Sequence, residues 1–176
     1  TRSADLYPAR AAIIEGARST DYATLERQVN RLGHALLGLG LRHQDVVAVM
    51  ARNTTELLIT YFACARAGLI CAPVNLGLRP PEIAWCLADA RARVLIVERA
   101  LGDAAHAVLA TPLPDLRHTV WIGEPGADGF EHLLAQGNDA PLEAIVADRD
   151  IVQLLYTSGT TANPKGVLTS HLAATM

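Results

Sequence analysis

Lysine is almost missing from this 176-residue chain. Of its fifteen lysine and arginine side chains only Lys165 is a lysine. The arginines are scattered and the formal net charge is −3. No basic stripe forms, which argues against a nucleic-acid surface. Cysteine is sparse too. Cys64, Cys71 and Cys86 make no C-x-x-C pair and lie in the apolar contexts FACARAG, LICAP and AWCLAD. They read as buried free thiols rather than metal ligands or a disulfide framework, which fits a reducing cytoplasm. No two of the six histidines stand at metal-ligand spacing. No apolar run is long enough to span a bilayer, and there is no secretory signal, internal repeat or low-complexity tract.

What is abundant is apolar residue, 51% of the chain, enough for a sizeable core in one domain. Ala11–Glu15 and Arg18–Tyr22 flank Gly16 and read as a β-hairpin. Thr24 to Leu39 carries Leu25, Val29, Leu32, Leu36 and Leu39 as a helical stripe closed by Gly40. Val46–Met50 reads as a strand. A helix capped by Thr54 or Thr55 runs to Ala67 and stops at Gly68. Leu69–Val74 is a strand, and Pro80 or Pro81 opens a helix through Ala90. Val94–Val97, Leu101–Leu109, Thr119–Ile122 and Phe130–Ala135 continue as strand, helix, strand and short helix. Residues 138–150 form a polar connector. The alternation predicts an α/β fold with a largely parallel sheet flanked by helices.

The lone lysine sits in YTSGTTANPKGV, Tyr156 to Val167. The run Ile151–Thr157 before it is apolar and β-compatible, a buried strand feeding directly into a Gly/Ser/Thr-rich loop. Such a loop opens at the carboxyl edge of a sheet, where α/β folds place ligands. Its backbone N–H groups suit an anion nest. Thr157, Ser158, Thr160 and Thr161 add hydroxyls, and Lys165 adds a compact charge that approaches phosphate more closely in a tight turn than a guanidinium does. The plain alternative is a Gly/Thr-rich hairpin turn with no ligand.

The loop is not the G-x-x-x-x-G-K-[ST] of P-loop nucleotidases. Counting from Gly159, Pro164 takes the place of the second glycine, and Gly166 follows the lysine where a Mg²⁺-binding hydroxyl belongs. Val167, Leu168 and Thr169 instead read as a return strand, with Ser170 capping a helix that starts at His171.

With those residues in view, the run resembles the signature of the adenylate-forming superfamily, which holds acyl-CoA synthetases, peptide-synthetase adenylation domains and luciferases. The family pattern is roughly [YF]-T-S-G-[ST]-T-G-x-P-K-G-V. Ala162 departs from it, and if the family glycine has positive φ the alanine is strained by about 1 kcal/mol. The resemblance extends through Asp21–Leu25 with Asn30-Arg31-Leu32, then Gly40, Asp45, Val46–Met50 and Asn53. It continues through Ala67-Gly68, Ala72–Asn75, Arg79, Glu82-Ile83 and Leu87–Asp89. The segment PVNLGLRPPEI lacks the aspartate-proline pattern of peptide synthetases and is closer to acyl-CoA synthetases.

The resemblance implies an AMP-forming acid–thiol ligase. ATP and a carboxylic acid, expected to be a fatty acid, give acyl-AMP and pyrophosphate; CoA then takes the acyl group. Thr157, Ser158, Gly159, Thr160, Thr161 and Lys165 would hold the β- and γ-phosphates, with Mg²⁺ as the accompanying ion. His171 stands in a region where the family reads S-H-x-N and is a candidate substrate neighbour, although Ala173 replaces the asparagine. The other readings are a P-loop-type phosphatase or kinase, an acyl-AMP ligase that loads a carrier protein, and a non-catalytic relative that holds nucleotide. The start at threonine and the end at Met176 lead to the expectation of a partial N-terminal domain, inactive alone, with the acyl pocket and a mobile C-terminal domain elsewhere. Nothing here indicates the oligomeric state. Asp148 and Asp150, before the strand, are expected to be solvated charges at its amino end. Trp85 and Trp121 are expected to pack rather than stack on ligands.

Overall fold

The computed structural model describes residues 1–157 and 163–175, with the side chain of Thr175 left aside. A short helix α1 (Arg2–Leu6) precedes a hairpin of β1 (Ala11–Glu15) and β2 (Arg18–Asp21), which pair antiparallel. Gly16 turns the hairpin at φ +58°, a conformation that costs glycine nothing. Helix α2 (Tyr22–Gly38) follows at once. It starts two residues before the position predicted from the apolar stripe. Asp21 sets that start, because its carboxylate accepts the Thr24 N–H at 2.6 Å, the usual reach of an acidic N-cap.

The rest alternates strand and helix: β3 (Val46–Met50), α3 (Thr55–Ala67), β4 (Ile70–Pro73), α4 (Pro80–Asp89), β5 (Val94–Glu98), a 3₁₀ turn over Arg99–Leu101, α5 (Gly102–Leu109), β6 (His118–Ile122) and α6 (Phe130–Gln136). Then come β7 (Ile151–Thr157), β8 (Lys165–Ser170) and α7 (His171–Thr175). The strands form one six-stranded sheet in the order β6-β5-β3-β4-β7-β8. All neighbours are parallel except β8, which returns antiparallel along β7. This is the mixed α/β fold with a mainly parallel sheet that the alternation predicts.

Helices cover both faces, and the strand period of two explains how. From β3, Val47 and Val49 join Leu32 and Leu36 of α2, Ile59 and Ala63 of α3, and Leu133 and Leu134 of α6. The alternate residues Val46, Ala48 and Met50 point the other way and join Ile83 and Leu87 of α4 with Ala105 and Val108 of α5. Strands buried on both faces read as continuous apolar runs, as VVAVM and VLIV do. Each such side chain contributes about 1.5–3 kcal/mol by leaving water.

Helix ends follow their local chemistry. The Thr54 hydroxyl accepts the Leu57 N–H and starts α3, and Gly68 ends it at φ +69°. At the proline-led start of α4 the Glu82 carboxylate accepts the Arg79 N–H at 2.8 Å, while the Glu82 N–H donates to the Arg79 carbonyl. Leu142, in the polar connector, reaches back onto the core beside Gly33. No helix among the described residues is long and apolar enough to cross a membrane.

One expectation about burial needs correction. β7 is not buried throughout. Val152 and Leu154 are buried, but Leu155 is 39% exposed. The reason lies in its neighbours. β7 is flanked by the outermost strand β8, and its Leu155 face is only lightly covered among the described residues.

Candidate functional site

The loop predicted to hold phosphate leaves β7 at the carboxyl edge of the parallel sheet and returns as β8. Thr157 and Lys165 face each other across the hairpin, and the Thr157 hydroxyl lies 3.4 Å from the Lys165 carbonyl, at the long limit for a donated bond. Lys165 is exposed there and Pro164 is buried. Thus the one lysine of the chain stands exposed at the rim of the sheet. Ser158, Gly159, Thr160, Thr161 and Ala162, and with them the strain expected at Ala162, lie outside the described residues.

Two side-chain anchors hold β7 in place. At its amino end the Gln44 amide embraces Ile151: the Ile151 N–H donates to Oε1 at 2.8 Å, and Nε2 donates to the Ile151 carbonyl at 3.1 Å. Gln44 does this from a left-handed backbone, φ +64°. At the carboxyl end the Tyr156 hydroxyl donates to Asp89 Oδ2 of α4 at 2.7 Å. The Trp85 ring stands edge-on to Tyr156, centroids 6.1 Å apart. Burial, then the Asp89 carboxylate, pushes the phenol further above its ordinary range, so it remains a donor. Gly166 lies opposite Tyr156, and a Cβ there would come within 2.9 Å of Leu154 Cδ1 and 3.4 Å of the tyrosine ring. Glycine after the lysine therefore makes room for the anchor. Nothing in the composition pointed to the Gln44 and Asp89 contacts. Asp89 lay in a motif segment with no role attached, and Gln44 carried no signal at all.

Beside Tyr156 a cavity of about 20 Å³ opens among Ala48, Ala72, Asn75, Cys86 and Leu87. It has room for roughly one water. Asn75 is spent on an Asx turn, accepting the Gly77 N–H at 2.9 Å. All three cysteines are free and buried, as expected. The neighbouring Cys71 and burial raise Cys64, and burial followed by Asp89 raises Cys86 to about 11, so these thiols stay protonated and unreactive.

The structure does not bring His171 to the loop. The antiparallel return of β8 pairs Ser170 with Ile151, so His171 begins α7 at the opposite end of the hairpin from Lys165. A ladder of about 3.3 Å per residue separates them. The two acids before β7 do sit at its amino end, but they are not simply solvated. The Asp150 carboxylate accepts the Ala147 N–H at 2.8 Å and lies 3.3 Å from His43 Nε2. The carbonyls of Asp150 and Asp148 accept the N–H groups of His171 and Leu172. The pair ties α7 to the sheet.

The remaining histidines and tryptophans have packing partners or none of note. His34 Nε2 lies 3.0 Å from the Ala140 carbonyl, and His106 rests against Trp121. Among the described residues no three His, Cys, Asp or Glu side chains gather to hold a metal. The described part of the loop fits an anion, with an exposed ammonium and a hydroxyl at a sheet edge; it offers no carboxylate set for Mg²⁺.

Several known proteins are similar to this chain. An indoleacetate–CoA ligase from Aromatoleum aromaticum is 38% identical over 97% of this chain and 34% of its own length. A fatty acid–[acyl-carrier-protein] ligase from Streptomyces coeruleorubidus is 33% identical over 93% of this chain and 30% of its own. The crystal structure of an anthranilate CoA ligase in complex with anthranoyl-AMP superposes with a TM-score of 0.89 at 32% identity, covering 97% of this chain and 33% of that one. The chain thus spans about a third of the length of the relatives it matches. The sequence pattern described as AMP-binding enzyme matches residues 1–176, and on that match the chain belongs to the AMP-binding enzyme family.

Proposed function

We propose that the protein to which this chain belongs uses ATP to activate a carboxylic acid as acyl-AMP and then transfers the acyl group to CoA. The observation that carries this reading is the exposed Lys165, paired across the hairpin with Thr157 at the carboxyl edge of the sheet. In the first step a carboxylate oxygen forms a bond to the α-phosphorus, and the bond to the β-phosphate oxygen breaks, releasing pyrophosphate. In the second step the CoA sulfur attacks the acyl carbon and AMP leaves. Neither step needs a nucleophile from the loop. The loop has only to hold the departing pyrophosphate and offset its charge. Thr157, Ser158, Gly159, Thr160, Thr161 and Lys165 are proposed for that hold. Mg²⁺, when bound, would supply further charge neutralisation at the phosphates.

The acid is proposed to be a fatty or otherwise hydrophobic one. Indoleacetate, anthranilate, crotonobetaine/carnitine and fatty acid appear in the relatives' names, so these support a carboxylic acid more firmly than a fatty or hydrophobic one in particular. The buried thiols support a reducing, cytoplasmic setting. A second reading, transfer to a carrier protein, is favoured by the Streptomyces relative. The test is pyrophosphate exchange by the full-length protein with a panel of fatty, aryl and amino acids, followed by addition of CoA. Exchange with fatty or aryl acids and thioester formation are expected. Exchange with amino acids only, or no acid-dependent exchange, overturns the reading. Adenylate without transfer to CoA moves it to the carrier-protein branch.

A further inference from the structure

We infer that Asp89 and Tyr156 form a latch by which helix α4 sets the position of the phosphate-holding loop, making Asp89 a positioning residue for ATP although it belongs to no loop. The inference rests on the proposed role of that loop. Its starting point is how lightly β7 is tied to its inner neighbour. One register pair, Cys71 with Gln153, joins β7 to β4, whereas six join it to β8. Backbone pairing therefore holds the hairpin to β4 at one register position, and side chains supply the rest of its placement. Gln44 fixes the amino end, at Ile151. The loop end depends on Tyr156, whose next residue is Thr157.

Several observations converge on that tyrosine. Its hydroxyl donates to Asp89 Oδ2 at 2.7 Å, a short bond to an ionised acceptor. Trp85, one turn earlier on the same helix, closes against its ring. Gly166, directly opposite, leaves space that a side chain would take from it. Leu154 and Tyr156, two apart on the strand, both face the α4 side of the sheet. The helix itself is held by Ile83, Ala84 and Leu87, all buried. Helix α4 thus reaches Tyr156 by a side-chain hydrogen bond as well as by packing, and Tyr156 is covalently next to Thr157, where the loop begins. Misplacement of a catalytic group by about 1 Å costs on the order of a hundredfold. Asp89 is itself exposed, so the bond competes with water and its loss should move the loop less than that.

The test uses the full-length protein with Tyr156→Phe, Asp89→Ala and the double variant, since alanine, unlike asparagine, leaves no oxygen to accept the tyrosine hydroxyl. The readouts are the Kd for ATP without acid, the KM for ATP and for the acid in pyrophosphate exchange, and the melting temperature. Each single variant is expected to weaken ATP by roughly three- to tenfold, about 0.7–1.4 kcal/mol, with the KM for the acid unchanged. The double variant is expected to be no worse than either single, because both remove the same contact. ATP affinity unchanged in a folded Tyr156→Phe protein, or effects that add in the double variant, overturns the latch. A lower melting temperature with normal ATP affinity does the same, since it marks a purely structural bond. If Asp89→Ala fails to fold, Tyr156→Phe alone decides. The ATP-binding arm needs no acid. Loss of acid-dependent exchange in the wild type therefore overturns the proposed function and leaves the latch to be judged by ATP affinity.

Discussion

At the scale of single residues, the chain concentrates its choice of cation at one place. An arginine-rich sequence keeps lysine only at position 165, and the structure puts that ammonium at the exposed rim where the hairpin opens. A point charge on a flexible stem can follow phosphate oxygens as pyrophosphate departs, whereas a planar fork requires a fixed geometry. Lys165→Ala in the full-length protein is therefore expected to slow acid-dependent pyrophosphate exchange by roughly 30- to 1,000-fold, the usual cost of about 2–4 kcal/mol for removing one stabilising group from a developing charge. Lys165→Arg should recover little of it. Wild-type exchange in Lys165→Ala removes the residue from the mechanism. Position 165 was legible because composition and loop chemistry agreed on it. His171 was legible only as a neighbour in sequence. The reversal of chain direction in β8, which sends it to the far end, is a matter of strand pairing that no residue type announces. Asp89 was hidden for a similar reason: a contact spanning 67 positions leaves no local mark.

At the scale of elements, the alternation of apolar runs and amphipathic stretches was enough to place nearly every strand and helix, because each parallel strand must be apolar on both faces. What escaped were ends and edges. The start of α2 was set by Asp21 rather than by the apolar stripe, and the exposure of Leu155 depends on which strand lies next to β7. Ion pairs between strand ends were equally invisible. Arg52, after β3, gives Glu98, at the end of β5, its backbone N–H at 2.9 Å and its guanidinium as well. The Arg52 hydrogen bonds hold the Glu98 carboxyl below its ordinary range, against burial. The hydroxyl and N–H of Thr55 do the same for Glu15, which joins the hairpin to α3. Both carboxyls thus bind a proton more readily unfolded than folded. Their stabilisation is present above the unfolded value of about 4.3 and is lost as pH falls through the lower folded values. The midpoint of urea unfolding is expected to fall as pH drops below about 5, and Glu98→Gln should flatten part of that slope. A slope identical in Glu98→Gln and wild type shows that the pair does not report on folding.

At the scale of the whole molecule, the two faces of the sheet are unequally covered. The β6-β5-β3-β4 part is closed on both sides by α2, α3 and α6 and by α4 and α5. The β7–β8 hairpin leaves Leu155, Val167 and Leu168 between 39% and 58% exposed, and Leu172 of α7 beside it is 48% exposed. β8 is also an outermost strand, paired on one side only among the described residues. An edge of this kind, apolar and unguarded by charge except at Lys165, is a template for pairing with another chain. The phosphate loop belongs to this same hairpin, so the uncovered part of the structure is also the part proposed to hold ATP. The prediction joins the two. Residues 1–176 expressed alone are expected to associate as concentration rises, and to release no AMP when given ATP, Mg²⁺, CoA and fatty or aryl acids. Sedimentation over a concentration series and detection of AMP are the measurements. Replacing Leu168 with lysine, which places charge on the edge without touching the core, should shift the distribution toward monomer. A monomer at high concentration with the wild-type edge means that the exposed leucines and valine do not drive contact. AMP released by these residues alone means that the hairpin and its sheet suffice for the first step, and that the loop's partners in catalysis must be sought within the six strands already described.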